Sequence, residues 1–283
     1  MKVHRKLYIF QFIPSFIPTL TVSLYLVEKG NKITVHRDGP SFLVTFHNRA
    51  PRRIPAREID KVVIIGNVRI DANSIILCAE NKIPVLFIAS DKTEKALALP
   101  YNHKLPNHYK EQRLILQSKE TILRYKKWIY TRRSIMQIQI LKELFNRFSF
   151  SEDIGEGNYQ FLINSFIKNQ QNWIIIKDIV ENFLRGVIIG RIIQAGLDHH
   201  LGIIHRRVNF GLLLDLSMIF EPEADFQTIK FFQSSKLGIE NGQLTEEAIK
   251  QIINRFESRR QNFTKSVEVV IDELFEIIKD VRK

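Results

Sequence analysis

The stretch Pro100-Tyr101-Asn102-His103-Lys104-Leu105-Pro106 separates two regions of different hydrophobic period. Before it, Ile83-Pro84-Val85-Leu86-Phe87-Ile88 is a short apolar run of strand length. Lys61-Val62-Val63-Ile64-Ile65 is another, stopped by Gly66-Asn67. Further strands are expected at 21–27, 32–36 and 42–46, with a short one at Val68 and Ile70. Asp38-Gly39-Pro40 supplies a hairpin-type turn, and Lys29-Gly30-Asn31 ends the first strand. One helix is predicted at 72–81. After the divide the period becomes helical. Helices are expected at 109–148 (with a break near Lys126), 151–169, 178–195, 209–220, 246–254 and 265–281. Thr245 followed by Glu246 and Glu247 reads as a helix start.

The expected fold is α+β in two segregated domains. A β-sandwich-like domain at 21–100 follows an N-terminal extension at 1–20, and an all-α domain occupies 107–283. The extension belongs to an uncharged run at 7–27 that mimics a signal peptide or membrane span. Pro14 and Pro18 would break a helix there, and the aromatic and β-branched composition suits extended chain, so the run reads as a docking segment.

The 283 residues, 45% hydrophobic and 25% charged, are ample for a core without staples. The single Cys78 excludes an intramolecular disulfide and a multi-cysteine zinc site, and points to the cytoplasm. A net charge of +12 favours polyanionic partners. The excess is concentrated: 104–147 holds eleven Lys and Arg against Glu111, Glu120 and Glu143, a net of +8. A solvated helix face is the plain alternative to nucleic-acid binding.

No phosphate-binding glycine loop, nucleophile elbow or zinc-protease motif is present. Three polar residues stand out in the helical half. Asp215 sits inside Leu212-Leu213-Leu214-Asp215-Leu216, where an unpaired carboxylate would be costly to bury. A salt bridge to Arg191 or Arg206 is one way to pair it. His205 follows Gly202-Ile203-Ile204 and could equally be a core histidine. Glu156 opens a helix, where acids also occur for dipole reasons. Two acids and one imidazole suit Mn²⁺ or Mg²⁺ better than structural zinc.

Several segments, in order, resemble the CRISPR-associated spacer-acquisition integrase and endonuclease family. In the first half they are Leu26-Val27-Glu28-Lys29-Gly30, Ile54-Pro55 with Glu58-Ile59, Ile64-Ile65-Gly66-Asn67-Val68-Arg69-Ile70, and Lys82 through the 83–88 run. In the second they are Arg133 with Gln137, Glu156-Gly157, Asn182-x-Leu184-x-Gly186, Ala195-Gly196-Leu197-Asp198, Gly202-Ile203-Ile204-His205 and Leu214-Asp215-Leu216. The resemblance implies a metal-dependent DNA endonuclease and integrase of CRISPR adaptation. Such an enzyme inserts short DNA into a repeat array by in-line attack of a 3′-hydroxyl on a phosphodiester. It implies Glu156, His205 and Asp215 as catalytic residues and ligands of Mn²⁺ or Mg²⁺. It also implies a homodimer, double-stranded DNA, and a small ferredoxin-like second CRISPR adaptation protein as partners, with no membrane role. Arg124, Lys127, Arg132, Arg133, Arg206 and Arg207 are the expected DNA contacts. The sequence departs from the family where a second acid usually follows the aspartate by three residues, here Met218, and where an Arg-Pro pair is usual, here Glu221-Pro222. Two alternatives stay open: a mobile-element or stand-alone integrase of the same family, and a catalytically impaired DNA-binding scaffold.

Overall fold

A computed structural model describes residues 9–10, 22–27, 33–47, 49–89, 95–100, 105–145, 154–234, 238–240 and 243–280. Most of the N-terminal extension and the turn at Lys29-Gly30-Asn31 lie outside these residues. The chain divides into two compact units, 1–103 and 104–283.

The first unit contains strands β1 (Ile9–Phe10), β2 (Val22–Val27), β3 (Ile33–Asp38), β4 (Ser41–Phe46), β5 (Arg49–Pro55), β6 (Ile59–Ile65) and β7 (Arg69–Ile70). Helix α1 (Ala72–Glu80) and strands β8 (Val85–Ile88) and β9 (Lys95–Ala98) complete it. They form a five-stranded sheet, β1-β2-β6-β8-β9, and a four-stranded sheet, β5-β4-β3-β7. The pairs β2–β6 and β6–β8 are parallel, and β1 and β9 pair antiparallel at the two edges. Side chains alternate along a strand, so Val22, Leu24 and Leu26 join Val62, Ile64 and Val85 on one face. They pack with Ile33, Val35, Phe42, Val44 and Ile54 of the other sheet and with Leu77 and Cys78 of α1. This is the core of a sandwich. Asp71 caps α1 by accepting from the Ser74 amide at 2.7 Å. Strand β5 was not legible in the sequence. It is exposed at Arg49, Pro51, Arg52 and Arg53, an edge that charge and proline protect from pairing.

The second unit contains α2 (Tyr109–Ile115), α3 (Lys119–Phe145), α4 (Glu156–Asn164), α5 (Gln170–Gln194) and α6 (Gly211–Ser234). A two-stranded ribbon, β10 (Ile239–Glu240) with β11 (Gln243–Leu244), leads to α7 (Glu246–Asp280). Several expectations need correction, beginning with the helices expected at 151–169 and 178–195, which are α4 and α5 with the break moved to 165–169. The break in the first helical stretch falls at 116–118, where the Ser118 hydroxyl accepts from the Glu120 amide, and not near Lys126. The two helices expected at 246–254 and 265–281 are one 35-residue helix. Its polar stretch at 257–262 is bridged by Phe256 and Phe263, which share a buried face seven residues apart. The helix expected to end at Phe220 runs on through Pro222 to Ser234.

That continuation has a physical cause. A proline inside a helix removes the amide that would bond the carbonyl four residues earlier. Here that carbonyl belongs to Met218, and the Arg133 guanidinium donates to it at 2.7 Å. On α3 the buried stripe Tyr125, Ile129, Arg133, Gln137, Leu141 turns polar in its middle, opposite this gap.

Candidate active site

The site begins with two glycines. Gly202 and Gly211 bring the 202–205 loop against the start of α6 so closely that a Cβ on Gly202 would lie 2.5 Å from the Gly211 carbonyl carbon. A Cβ on Gly211 would lie 2.4 Å from the His205 carbonyl oxygen. This approach aims three loop amides at Asp215, one turn into the helix. Ile203 and Ile204 donate to Oδ2 at 2.6 and 3.1 Å, and the His205 amide donates to Oδ1 at 3.0 Å. The Tyr125 hydroxyl adds a bond to Oδ2 at 3.2 Å, and His205 Nδ1 lies 2.7 Å from Oδ1. Asp215 is fully buried. Its charge is therefore compensated by amides, a phenol and one imidazole, not by Arg191 or Arg206. The contact with Oδ1 directs the other imidazole nitrogen, Nε2, away from Asp215. His205 is about one third exposed and lines a cavity of about 210 Å³ with Glu181, Arg185, Ser217, Met218 and Glu221.

Glu156 is held elsewhere. Arg133 clasps it with two bonds, Nε at 3.1 Å and Nη2 at 3.0 Å. Gln137 and Gln160 add bonds at 2.7 and 2.9 Å. The Arg133 bonds foremost, with the two glutamines, hold the Glu156 carboxyl at about 2, below its ordinary 4.5. Arg133 also reaches Glu221 at 2.6 Å. Lys177 bonds Glu221 at 3.1 Å and Asp225 at 2.7 Å, and the Tyr159 hydroxyl donates to Asp225 at 2.9 Å. Burial alone would raise the Glu221 carboxyl, but Lys177 and Arg133 reverse this and hold it below the usual range. For Asp225, burial prevails and its carboxyl is raised. Glu156 lines a separate cavity of about 450 Å³ with Tyr130, Ile135 and Gly155.

The structure thus joins His205 to Asp215 and places Glu156 with Arg133. Glu221, Lys177 and Asp225 complete a charged chain that the sequence reading had not assembled. Its one advance signal was the proline of Glu221-Pro222, which demands a donor for Met218. The three residues as placed do not fit a divalent ion. Asp215 already accepts five contacts, and Glu156 faces a guanidinium. Among the described residues no three of His, Cys, Asp and Glu gather as a ligand set.

The basic residues also sort by partner. Arg124 pairs with Asp280 at 2.5 Å, and Arg132 bonds Glu273 at 2.6 Å. Arg133 is buried. Lys127, Arg206 and Arg207 are exposed, and among the described residues none of them meets a carboxylate. No helix among the described residues is long and apolar enough to cross a membrane.

A family model described as CRISPR associated protein Cas1 matches residues 24–160. Over that stretch the chain is similar to the Cas1 family. The Cas1 protein TM1797 of Thermotoga maritima has the same fold, with a TM-score of 0.72 at 18% identity over 92% of this chain and 96% of that one. A casposase bound to integration product gives 0.71 at 16% identity, with 90% of each chain covered. A TtCas1–DNA complex gives 0.62 at 12% identity, again with 90% of each covered. No curated protein sequence matches the chain. The sandwich followed by a helical unit is the Cas1 fold expected from the resemblance. The Cas1 model match runs from Leu24 in β2 to Gln160 in α4, so it includes Glu156, and His205 and Asp215 lie beyond it.

Proposed function

We propose that this chain binds duplex DNA within the integration machinery of CRISPR adaptation. The observation that carries the reading is the 205–207 segment. Asp215 fixes the His205 imidazole at a cavity, and two exposed arginines that meet no carboxylate among the described residues follow it directly. Guanidinium groups so placed hold phosphate oxygens and set position without reading sequence. Lys127, exposed on α3, adds a further phosphate contact. Two structures of the same fold, a casposase bound to integration product and a TtCas1–DNA complex, support the same class of ligand. A second copy of the chain and a small ferredoxin-like adaptation protein remain the proposed partners.

A second reading is the metal-dependent endonuclease and integrase. Its support is that His205 and Asp215 meet as the resemblance implies, beside a cavity that also holds Glu221. Mn²⁺ or Mg²⁺ would polarise a phosphoryl oxygen in that reaction. The ligand set as placed does not accommodate the ion. What the chain supplies is an oriented imidazole, held by Asp215, and arginines that position phosphate.

A strand-transfer assay separates the two readings. A labelled short duplex and supercoiled plasmid are mixed with the protein and its small partner in Mn²⁺, Mg²⁺ or EDTA. Duplex binding that Arg206→Ala with Arg207→Ala weakens, without joining under any metal, is the expected result. Metal-dependent joining abolished by His205→Ala would establish the second reading. Absence of duplex binding under every condition would overturn the first.

A further inference from the structure

We infer that Arg133 is the resident cation of this centre, and that with its guanidinium between Glu156 and Glu221 the centre binds no divalent metal. Arg133 makes two bonds to Glu156, one to Glu221 and one to the Met218 carbonyl, with only a tenth of its side chain exposed. It is a built part of the core. The Met218 carbonyl needs a donor because Pro222 provides none, so the guanidinium cannot swing aside to admit an ion without orphaning a helix carbonyl.

The charges agree. Glu156, Glu221 and Asp225 are met by Arg133 and Lys177, which leaves one net negative charge along the chain. A divalent ion added here would bring two positive charges to a chain with one net negative charge, whose three carboxylates each already meet a cation. Met218, which lines the cavity with His205, offers a thioether, a poor ligand for a hard cation. Asp215 has no oxygen to spare unless the loop amides lose theirs. The inference concerns metal only and does not depend on DNA binding.

The test is a Mn²⁺ titration followed by electron paramagnetic resonance, with the full chain free of DNA at neutral pH. The wild-type protein should leave the free-ion signal at the amplitude of buffer. Arg133→Met would orphan Met218, so it is combined with Pro222→Ala, which returns an amide to the helix. That double variant should deplete the free-ion signal, and adding Glu156→Gln should restore it. Depletion by wild-type protein that Glu156→Gln abolishes would overturn the inference. So would a folded double variant that binds no more Mn²⁺ than wild type. Should the double variant fail to fold, the thermal midpoint of the wild type decides. Bound metal raises the midpoint and overturns the inference, and an unchanged midpoint upholds it.

Discussion

Asp215 and Glu156 look alike in the sequence, each a carboxylate beside apolar residues in the helical half, and the structure treats them in opposite ways. Asp215 is buried and compensated largely by backbone amides. Glu156 is half exposed and compensated by a guanidinium and two amide side chains. The difference lies in what each local fold can offer. The Gly202–Gly211 contact turns a loop into an anion nest, where fixed amides satisfy a charge at no cost in side-chain entropy. Around Glu156 the charged donor is Arg133, itself held by the helix carbonyl that Pro222 frees. One acid therefore organises backbone, and the other organises charge.

The largest effect that sharpens this contrast is expected at Asp215. Asp215→Ala leaves three loop amides, one buried and two partly buried, without an acceptor and should cost about 4 kcal/mol, read by urea denaturation. His205→Ala removes a partly exposed ring and should cost about 1 kcal/mol. Similar costs for the two would break the view that Asp215 serves the backbone first.

Arg133→Met comes next, at about 2–3 kcal/mol, because it removes the cation from Glu156 and strands the Met218 carbonyl, while Glu221 keeps Lys177. Pro222→Ala in that background should return about 1 kcal/mol by supplying the missing helix bond. No recovery would mean that Arg133 acts through the carboxylates alone.

These two acids also mark how much was legible. The sandwich strands and the two-unit order followed from apolar runs and their period, since both depend on neighbours in sequence. His205 with Asp215 was readable as a pair of candidates, though not that amides rather than an arginine would meet the carboxylate. That needed the close approach of two glycines nine residues apart. Arg133, Lys177 and Asp225 come from three helices, and nothing local joins them. Helix ends failed where a distant side chain overrode a local stop, as at Pro222, or where a polar interval hid a continuous face, as between Phe256 and Phe263.

A smaller, pH-dependent effect separates the centre from its flank. Burial holds the His199 imidazole down to about 4 from an ordinary 6.5. In this window the unfolded chain binds the proton and the folded chain does not, so stability is full above pH 6.5 and declines as pH falls toward about 4. His199→Gln should flatten that decline in thermal midpoints. The Glu156–Arg133 pairing, present above the unfolded carboxyl value of 4.5, should persist until pH approaches about 2.

The smallest effect on folding, and the most selective on DNA, belongs to Arg206 and Arg207. Either alanine variant should fold as the wild type does and reduce the salt slope of duplex binding by about one. Arg124→Ala and Arg132→Ala, whose charges are already paired, should change that slope less.

Duplex affinity at matched ionic strength, in EDTA and in Mn²⁺, tests the central claim most directly. The same Kd is expected in both, for wild type and for Glu156→Gln, because the centre carries its own cation and phosphate is held by the exposed Arg206 and Arg207. Tighter binding in Mn²⁺ that Glu156→Gln abolishes would contradict it.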